Sequence, residues 1–96
     1  MSEFARVVTF EADDAAIDAL VQEITSAQGT PEGITSTRIT LLADRAAGRA
    51  VISVRFPSEE DLRKGAEMFE AMSPPDIGNI RRVSVDVYEI LVDRES

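Results

Sequence analysis

The stretch Ile80–Leu91 reads IRRVSVDVYEIL and is the longest clean two-residue alternation in the sequence. Successive side chains of a β-strand point to opposite faces, so this alternation predicts a strand with two different faces. One face is apolar and β-branched, with Val83, Val85 and Val87. The other is polar and carries one aromatic ring, with Arg82, Ser84, Asp86 and Tyr88. The apolar face requires a helical layer over it, and the polar face suits water, a partner chain or a ligand.

Five further segments with helical or strand periodicity precede this strand. Alternating residues predict three more strands, at Phe4–Phe10, Ile34–Leu42 and Ala50–Phe56. Apolar stripes at helical spacing predict two helices, at about Asp14–Ala27 and from Ser58 to about Met72.

Capping and turn residues mark where these elements begin and end. Asp13 or Asp14 is suited to cap the first helix, because a short carboxylate accepts from the exposed N–H groups of the first turn. Ser58 and Asp61 resemble a capping box at the start of the second helix. Gly48 is the residue best able to take a positive φ in the hairpin ADRAAGR. Four residues are suited to stop the helices: Gly29, Pro31, Pro74 and Pro75.

The order of these elements is β-α-β-β-α-β. Two right-handed βαβ crossovers joined by a hairpin give the ferredoxin-like fold. We therefore predict an α+β domain spanning residues 1–96, with a four-stranded antiparallel sheet and both helices on one face. The last residues, 93–96, are expected to fray.

The alternation also assigns side chains to the two faces of the sheet. The face under the helices is predicted to be apolar or β-branched: Ala5, Val7, Thr9, Thr37, Ile39, Leu41, Ala50, Ile52, Val54, Phe56, Val83, Val85 and Val87. The open face is predicted to hold the remaining strand residues: Phe4, Arg6, Val8, Phe10, Ser36, Arg38, Thr40, Val51, Ser53, Arg55, Arg82, Ser84, Asp86 and Tyr88. This open face carries four arginines and one acid, a formal charge of +3 in a chain whose net charge is −8.

Composition excludes several classes of chemistry. The chain has no cysteine and no histidine, which removes disulfides, thiolate catalysis, imidazole bases and the usual haem and zinc ligands. It has one lysine and a net charge of −8, so nucleic acid and anionic membranes are not expected as partners. The acidic run Glu59–Asp61 fans outward from a helix start, so no metal site is predicted there. The absence of cysteine and of a signal peptide leads us to expect a cytoplasmic protein.

The layout resembles the dimeric α/β-barrel superfamily, and within it the small proteins related to antibiotic biosynthesis monooxygenases. The resemblance covers Phe4 to Val92 and lies in FARVVTFE followed by AAIDAL, in LLADRAAGRAVISVRFPSEEDL, and in the closing VSVDVYEI. It implies a homodimer whose two sheets pack by their open faces into a barrel, often with a small hydrophobic ligand in a cleft beside it.

The chain departs from the enzymes of that superfamily in its residue types. Members that oxidise aromatic polyketides use Asn, Trp and Tyr side chains, whereas this chain has no Trp. Its one Asn, Asn79, lies in a predicted loop, where turn chemistry explains it. Haem-degrading members bind iron through histidine, which is absent here. The resemblance therefore transfers no catalytic residue, and no cofactor is predicted.

One constellation is a candidate site: Arg6, Arg38, Arg55, Asp86 and Tyr88 on the open sheet face. Guanidinium groups there would hold a carboxylate, phenolate or enolate, Tyr88 would supply a ring and a hydroxyl, and Asp86 would act as a base. The prediction is a homodimeric protein that binds a small aromatic or anionic ligand, whose reaction, if it has one, is that of a cofactor-independent monooxygenase.

Two alternatives remain at this stage. In the first, the same residues only hold a dimer together, with arginines pairing with acids of the partner and Tyr88 packing at the interface. The protein would then be a non-catalytic structural or interaction protein of the same fold. In the second, the chain is a regulatory module of the amino-acid-binding ACT type, although its EADDAA turn lacks the glycine usual there.

Overall fold

The computed structural model describes residues 2–26, 36–71 and 80–95, with the side chain of Ala71 excepted. Six elements lie in these ranges: β1 (Glu3–Ala12), α1 (Asp14–Ser26), β2 (Arg38–Asp44), β3 (Arg49–Phe56), α2 (Glu59–Ala71) and β4 (Ile80–Ile90). Their order matches the predicted β-α-β-β-α-β pattern. The predicted helix stops at Gly29, Pro31, Pro74 and Pro75 lie outside the described residues.

The four strands form one antiparallel sheet in the order β2-β3-β1-β4. α1 packs through Ile17 and Leu20 against Ala12 and Ala50. α2 packs through Leu62 against Val54 and Phe56. Since the core residues of β1 and β3 lie in register on one side of the sheet, both helices cover the same face. The predicted ferredoxin-like α+β fold is confirmed.

Local side-chain bonds fix the starts of both helices and the hairpin. The Ala16 backbone N–H donates to Asp13 Oδ1 at 2.8 Å, which satisfies one of the unpaired groups of the first turn of α1. The Asp61 N–H donates to Ser58 Oγ at 3.2 Å, and the Ser58 hydroxyl donates to Asp61 Oδ2 at 2.8 Å. Gly48 has a φ of +66°, as predicted for the β2–β3 hairpin.

The predicted assignment of the β1 side chains to the two faces of the sheet is wrong, because the two sets are exchanged. Phe4 pairs with Phe56, and Arg6 pairs with Val54, so the even-numbered side chains of β1 lie under the helices. The odd-numbered residues Ala5, Val7 and Thr9, which were assigned to the helical side, lie on the open face instead. The physical reason is bulk: Phe4 packs against the buried cluster of Val54, Phe56 and Leu62 beneath α2, a space that the smaller Ala5 would fill less well.

The strand β4 departs from its prediction in two ways. Its pairing with β1 shifts between Thr9 and Phe10, and this irregularity places Arg82 opposite Phe10 on the helical side rather than on the open face. Val85 and Val87 lie on the helical side as predicted, but they remain 38% and 51% exposed. The helical layer therefore covers the centre of the sheet more fully than this edge strand.

The close approach of α2 to β3 depends on Gly65. A Cβ atom at this position would lie 2.5 Å from Cε1 of Phe56, whose side chain is fully buried. We expect Gly65→Ala to lower the free energy of unfolding by about 1 kcal/mol or more, because overpacking outweighs the gain in helix propensity. Chemical denaturation measures this change. Phe56→Leu should relieve part of the overlap, so an equal cost of Gly65→Ala in both backgrounds would refute the explanation.

Candidate functional site

Three of the five predicted site residues lie in one row across the open face of the sheet. Arg38 of β2 is opposite Arg55 of β3, Arg55 is opposite Ala5 of β1, and Ala5 is opposite Tyr88 of β4. Partners opposite each other in antiparallel strands have side chains on the same face and about 5 Å apart. The alanine between Arg55 and Tyr88 has the smallest side chain of the four. The row therefore has a cationic end and an aromatic end, with only the short side chain of Ala5 between them.

The next two rows form the middle of the open face. The first consists of Thr40, Ser53, Val7 and Asp86, and the second of Leu42, Val51, Thr9 and Ser84. Asp86 thus lies on β4 in the row next to that of Tyr88, and Val7 of β1 separates it from Ser53 of β3. Leu42 and Tyr88 are exposed, and both helices pack on the opposite side of the sheet. Among the described elements, none lies over this mixed surface of hydroxyl, aliphatic and charged groups.

Arg55 is held by two carboxylates of its own chain. Its Nη1 donates to Asp93 Oδ2 at 2.7 Å, and its Nε lies 3.4 Å from Glu3 Oε2. The hydrogen bond to Asp93 raises the pKa of Arg55. The same bond, with the charges of Arg55 and Arg38, lowers the pKa of Asp93. Both groups therefore carry full charges at neutral pH.

Arg38 differs from Arg55 because it has no ion-pair partner among the carboxylates of the described ranges. It lines an open recess of about 540 Å³ at the edge of the sheet. The other lining residues come from β3 and from the segment after β4: Arg55, Asp93, Arg94 and Glu95. Arg38 is thus available to bind an anion from solution.

The open face does not have the predicted positive charge. Over the full strands, the register places four arginines on it, Arg38, Arg49, Arg55 and Arg81, and four acids, Glu3, Glu11, Asp44 and Asp86. Formal charges on this face therefore cancel, where the sequence predicted +3. Arg6 and Arg82 leave the face for the reasons given above. Two arginines at the strand ends, Arg49 and Arg81, join it together with three acids, Glu3, Glu11 and Asp44. Two of the arginines on this face pair with acids of the same face: Arg55 Nε lies 3.4 Å from Glu3 Oε2, and Arg81 Nη2 lies 2.9 Å from Glu11 Oε2.

Arg6, the fifth predicted site residue, lies on the other side of the sheet. Its side chain is 6% exposed and lies over the ring of Phe69, with the guanidinium carbon 5.4 Å from the ring centroid. Its Nη2 donates to Glu70 Oε1 at 2.8 Å, and Arg82 Nη1 donates to the same oxygen at 2.8 Å. The bond from Arg82 is the main cause that lowers the pKa of Glu70, and Arg6 adds to it. Arg6 is therefore a buried structural cation of the α2 interface.

Glu3 and Asp93, the carboxylates that pair with Arg55, were not among the predicted site residues. Glu3 lies one residue before the predicted start of β1, and Asp93 lies in the segment that was predicted to fray. Each contact joins residues far apart in the sequence, and local periodicity carries no signal for such pairs. For Asp93 the available hint was an acidic residue three positions after the end of a strand that carries Tyr88.

The chemistry available to the row is recognition of an anion beside an aromatic ring. A guanidinium group offers a planar set of N–H donors that fits a carboxylate, and a tyrosine ring packs against another ring. In the part of the chain that the structure describes, no group of three or more Asp or Glu side chains could hold a metal ion. Nor is any described helix long and apolar enough to cross a membrane.

Comparison with known proteins shows similarity of fold. No protein-family model matches the sequence, and no curated protein matches it. Among solved structures, the chain is similar to Rv0793 from Mycobacterium tuberculosis, with a TM-score of 0.53 and 16% sequence identity. The match covers 99% of each chain. At this identity the similarity shows a shared arrangement of strands and helices over the whole chain.

Proposed function

We propose that the protein is a homodimeric small-molecule-binding protein of the dimeric α/β-barrel type, related to antibiotic biosynthesis monooxygenases. In this proposal two open sheet faces pack together, and the row of Arg38, Arg55 and Tyr88 binds a small aromatic anion at the edge of the interface. The observation that carries the proposal is this row: the register aligns two guanidinium groups and the one tyrosine of the chain across four strands.

The properties of the open face support packing of two copies. The chain as a whole carries a charge of −8, which repels a second copy, but the formal charges of this face cancel. A twofold interface brings the same patch together with itself, so a patch with equal numbers of both signs can place arginines against acids. The middle of the face has aliphatic side chains at Val7 and Val51, which gain from removal of water.

The enzymatic form of this proposal is a cofactor-independent monooxygenase. Arg38 would stabilise a phenolate or enolate of the substrate, and a ring or enolate carbon that carries a hydrogen would bond to molecular oxygen as a hydroperoxide. Loss of water from the hydroperoxide would leave one oxygen atom in the product as a carbonyl, with all electrons supplied by the substrate. Consumption of oxygen in the presence of a bound phenol tests this step separately from binding.

A second function is favoured by one specific observation. Arg55 already bonds to Asp93 and Glu3 of its own chain, as expected for a residue whose task is to hold the surface in shape. If all residues of the row only stabilise the surface, the protein is a non-catalytic assembly protein that forms the same dimer. The two functions share the interface and differ in whether Arg38 binds a ligand.

Arg38→Ala distinguishes them. We expect the substitution to weaken binding of an aromatic carboxylate about tenfold, since a hydrogen bond to a charged group contributes roughly 1.5–3 kcal/mol. Binding is measured by calorimetry with benzoate and salicylate, after a thermal-shift screen of aromatic acids. Arg63→Ala is the matched control, because Arg63 is an exposed arginine of α2 paired with Glu59. The binding function is refuted if no aromatic acid stabilises the protein, or if both variants bind equally well.

A further inference from the structure

The segment after β4 places a carboxylate at the cationic end of the row. Asp93 Oδ2 accepts from Arg55 Nη1 at 2.7 Å, and Arg38 is close enough for its charge to act on the same carboxylate. To make this contact, the chain leaves β4 at Ile90 and reaches β3, which lies beyond β1 in the sheet. The carboxylate thus comes from a segment outside the sheet, bonds to Arg55 and lies within the electrostatic influence of Arg38.

Little else in the described structure fixes this segment. Leu91 and Val92, which lead from β4 to Asp93, are 81% and 80% exposed and so gain almost nothing from burial. The ion pair itself is accessible, because the side chain of Asp93 is 62% exposed. Exposed ion pairs contribute little to stability. A competing anion in solution can therefore replace the Asp93 carboxylate without disturbing the core.

The charges at this end of the row specify the competitor. Arg38 and Arg55 supply two positive charges, and Glu3 supplies one negative charge at 3.4 Å from Arg55 Nε. Arg94 and Glu95, which line the same recess, have opposite charges and cancel in this sum. One further negative charge balances the set, and Asp93 supplies it. A monocarboxylate reproduces this balance, whereas a phosphate dianion adds a second negative charge beside Glu3.

We infer that the ligand of the row is a monocarboxylate that displaces the side chain of Asp93 from Arg55, so that the C-terminal segment is an internal competitor for the site. This inference rests on the proposed ligand-binding function and specifies its ligand class. It also assigns to Asp93 the role of setting the affinity.

Removal of the Asp93 charge tests the inference. Asp93→Asn and Asp93→Ala should each bind benzoate about three- to tenfold more tightly than the unchanged protein, measured by calorimetry. Glu95→Gln is the matched control, because Glu95 lines the same recess, carries the same charge and makes no bond to Arg55 within the described residues. Its affinity for benzoate should stay within about twofold of the unchanged protein.

The outcomes separate this inference from the proposed function. If benzoate binds and Arg38→Ala weakens it, but the Asp93 and Glu95 variants bind alike, the competitor role of Asp93 is refuted and the binding function stands. Tighter binding of inorganic phosphate than of benzoate would overturn the monocarboxylate assignment. If benzoate binds neither the unchanged protein nor Asp93→Asn, then the proposed function and the inference fall together.

Discussion

Replacement of Arg6 by alanine is expected to lower the free energy of unfolding by about 3 kcal/mol, which is a large fraction of the stability of a domain of this size. The stem of Arg6 is buried under α2, its guanidinium group lies over Phe69, and it donates to Glu70. Alanine loses all three contacts and leaves a cavity between β1 and the helix. Chemical denaturation at one fixed protein concentration measures the change.

Arg82→Ala is the matched control for this prediction. Arg82 donates to the same Glu70 oxygen at the same distance of 2.8 Å, but its side chain is 50% exposed. We expect a change within about 1 kcal/mol, because the entropy lost in ordering a long exposed side chain offsets most of what its ion pair contributes. Equal effects of the two substitutions would show that burial of Arg6 is not the source of its contribution.

Replacement of Val7 by glutamate is expected to convert the proposed dimer into a monomer, raising the dissociation constant about a thousandfold. Val7 lies on the open face of the central strand β1, between Ser53 and Asp86. A carboxylate at this position would be removed from water twice in a symmetric interface, once from each copy, with Asp86 as a neighbour of the same sign. Sedimentation over a range of concentrations measures the constant.

Val21→Glu is the matched control for the open face. Val21 is an exposed valine of α1, on the helical side of the molecule. The same change of charge there should leave the dissociation constant within about threefold of the original value. Dissociation by both substitutions would point to general repulsion between acidic chains, and dissociation by neither would place the interface on another surface.

The fold was predictable because its signals are local. The alternation in Ile80–Leu91, the capping residues Asp13 and Ser58, and the glycine at position 48 each act within a few residues of the chain. Each of them agrees with one element order, and the structure has that order. Agreement of pattern, caps and turns is what made a ferredoxin-like fold the natural prediction.

The side chains of β1 were harder to assign, because FARVVTF is apolar on both faces. An arginine in such a strand favours the solvent side on average, so nothing in the local sequence indicates that Arg6 is buried. Arg6 is buried because Glu70, 64 residues later in the sequence, and Phe69 receive it. A pairing over such a distance leaves no trace in the local pattern.

The candidate site was predicted in part for the same reason. Arg38, Arg55, Asp86 and Tyr88 lie on the predicted face of the sheet, because the alternation in their strands gives the correct phase. Arg6 was misplaced with its strand. Asp93 was not predicted, because its bond to Arg55 depends on the path of the chain after β4. That segment is neither helix nor strand, so no periodic pattern indicates where its side chains lie.

The mass of the unmodified protein in solution tests the central claim most directly, since every proposal for the row places it at the edge of an interface between two open sheet faces. One chain has a mass of 10.5 kDa. At tens of micromolar, light scattering coupled to size exclusion should give twice this mass. A mass of one chain under the same conditions would contradict the claim and leave the open face of the sheet exposed to water.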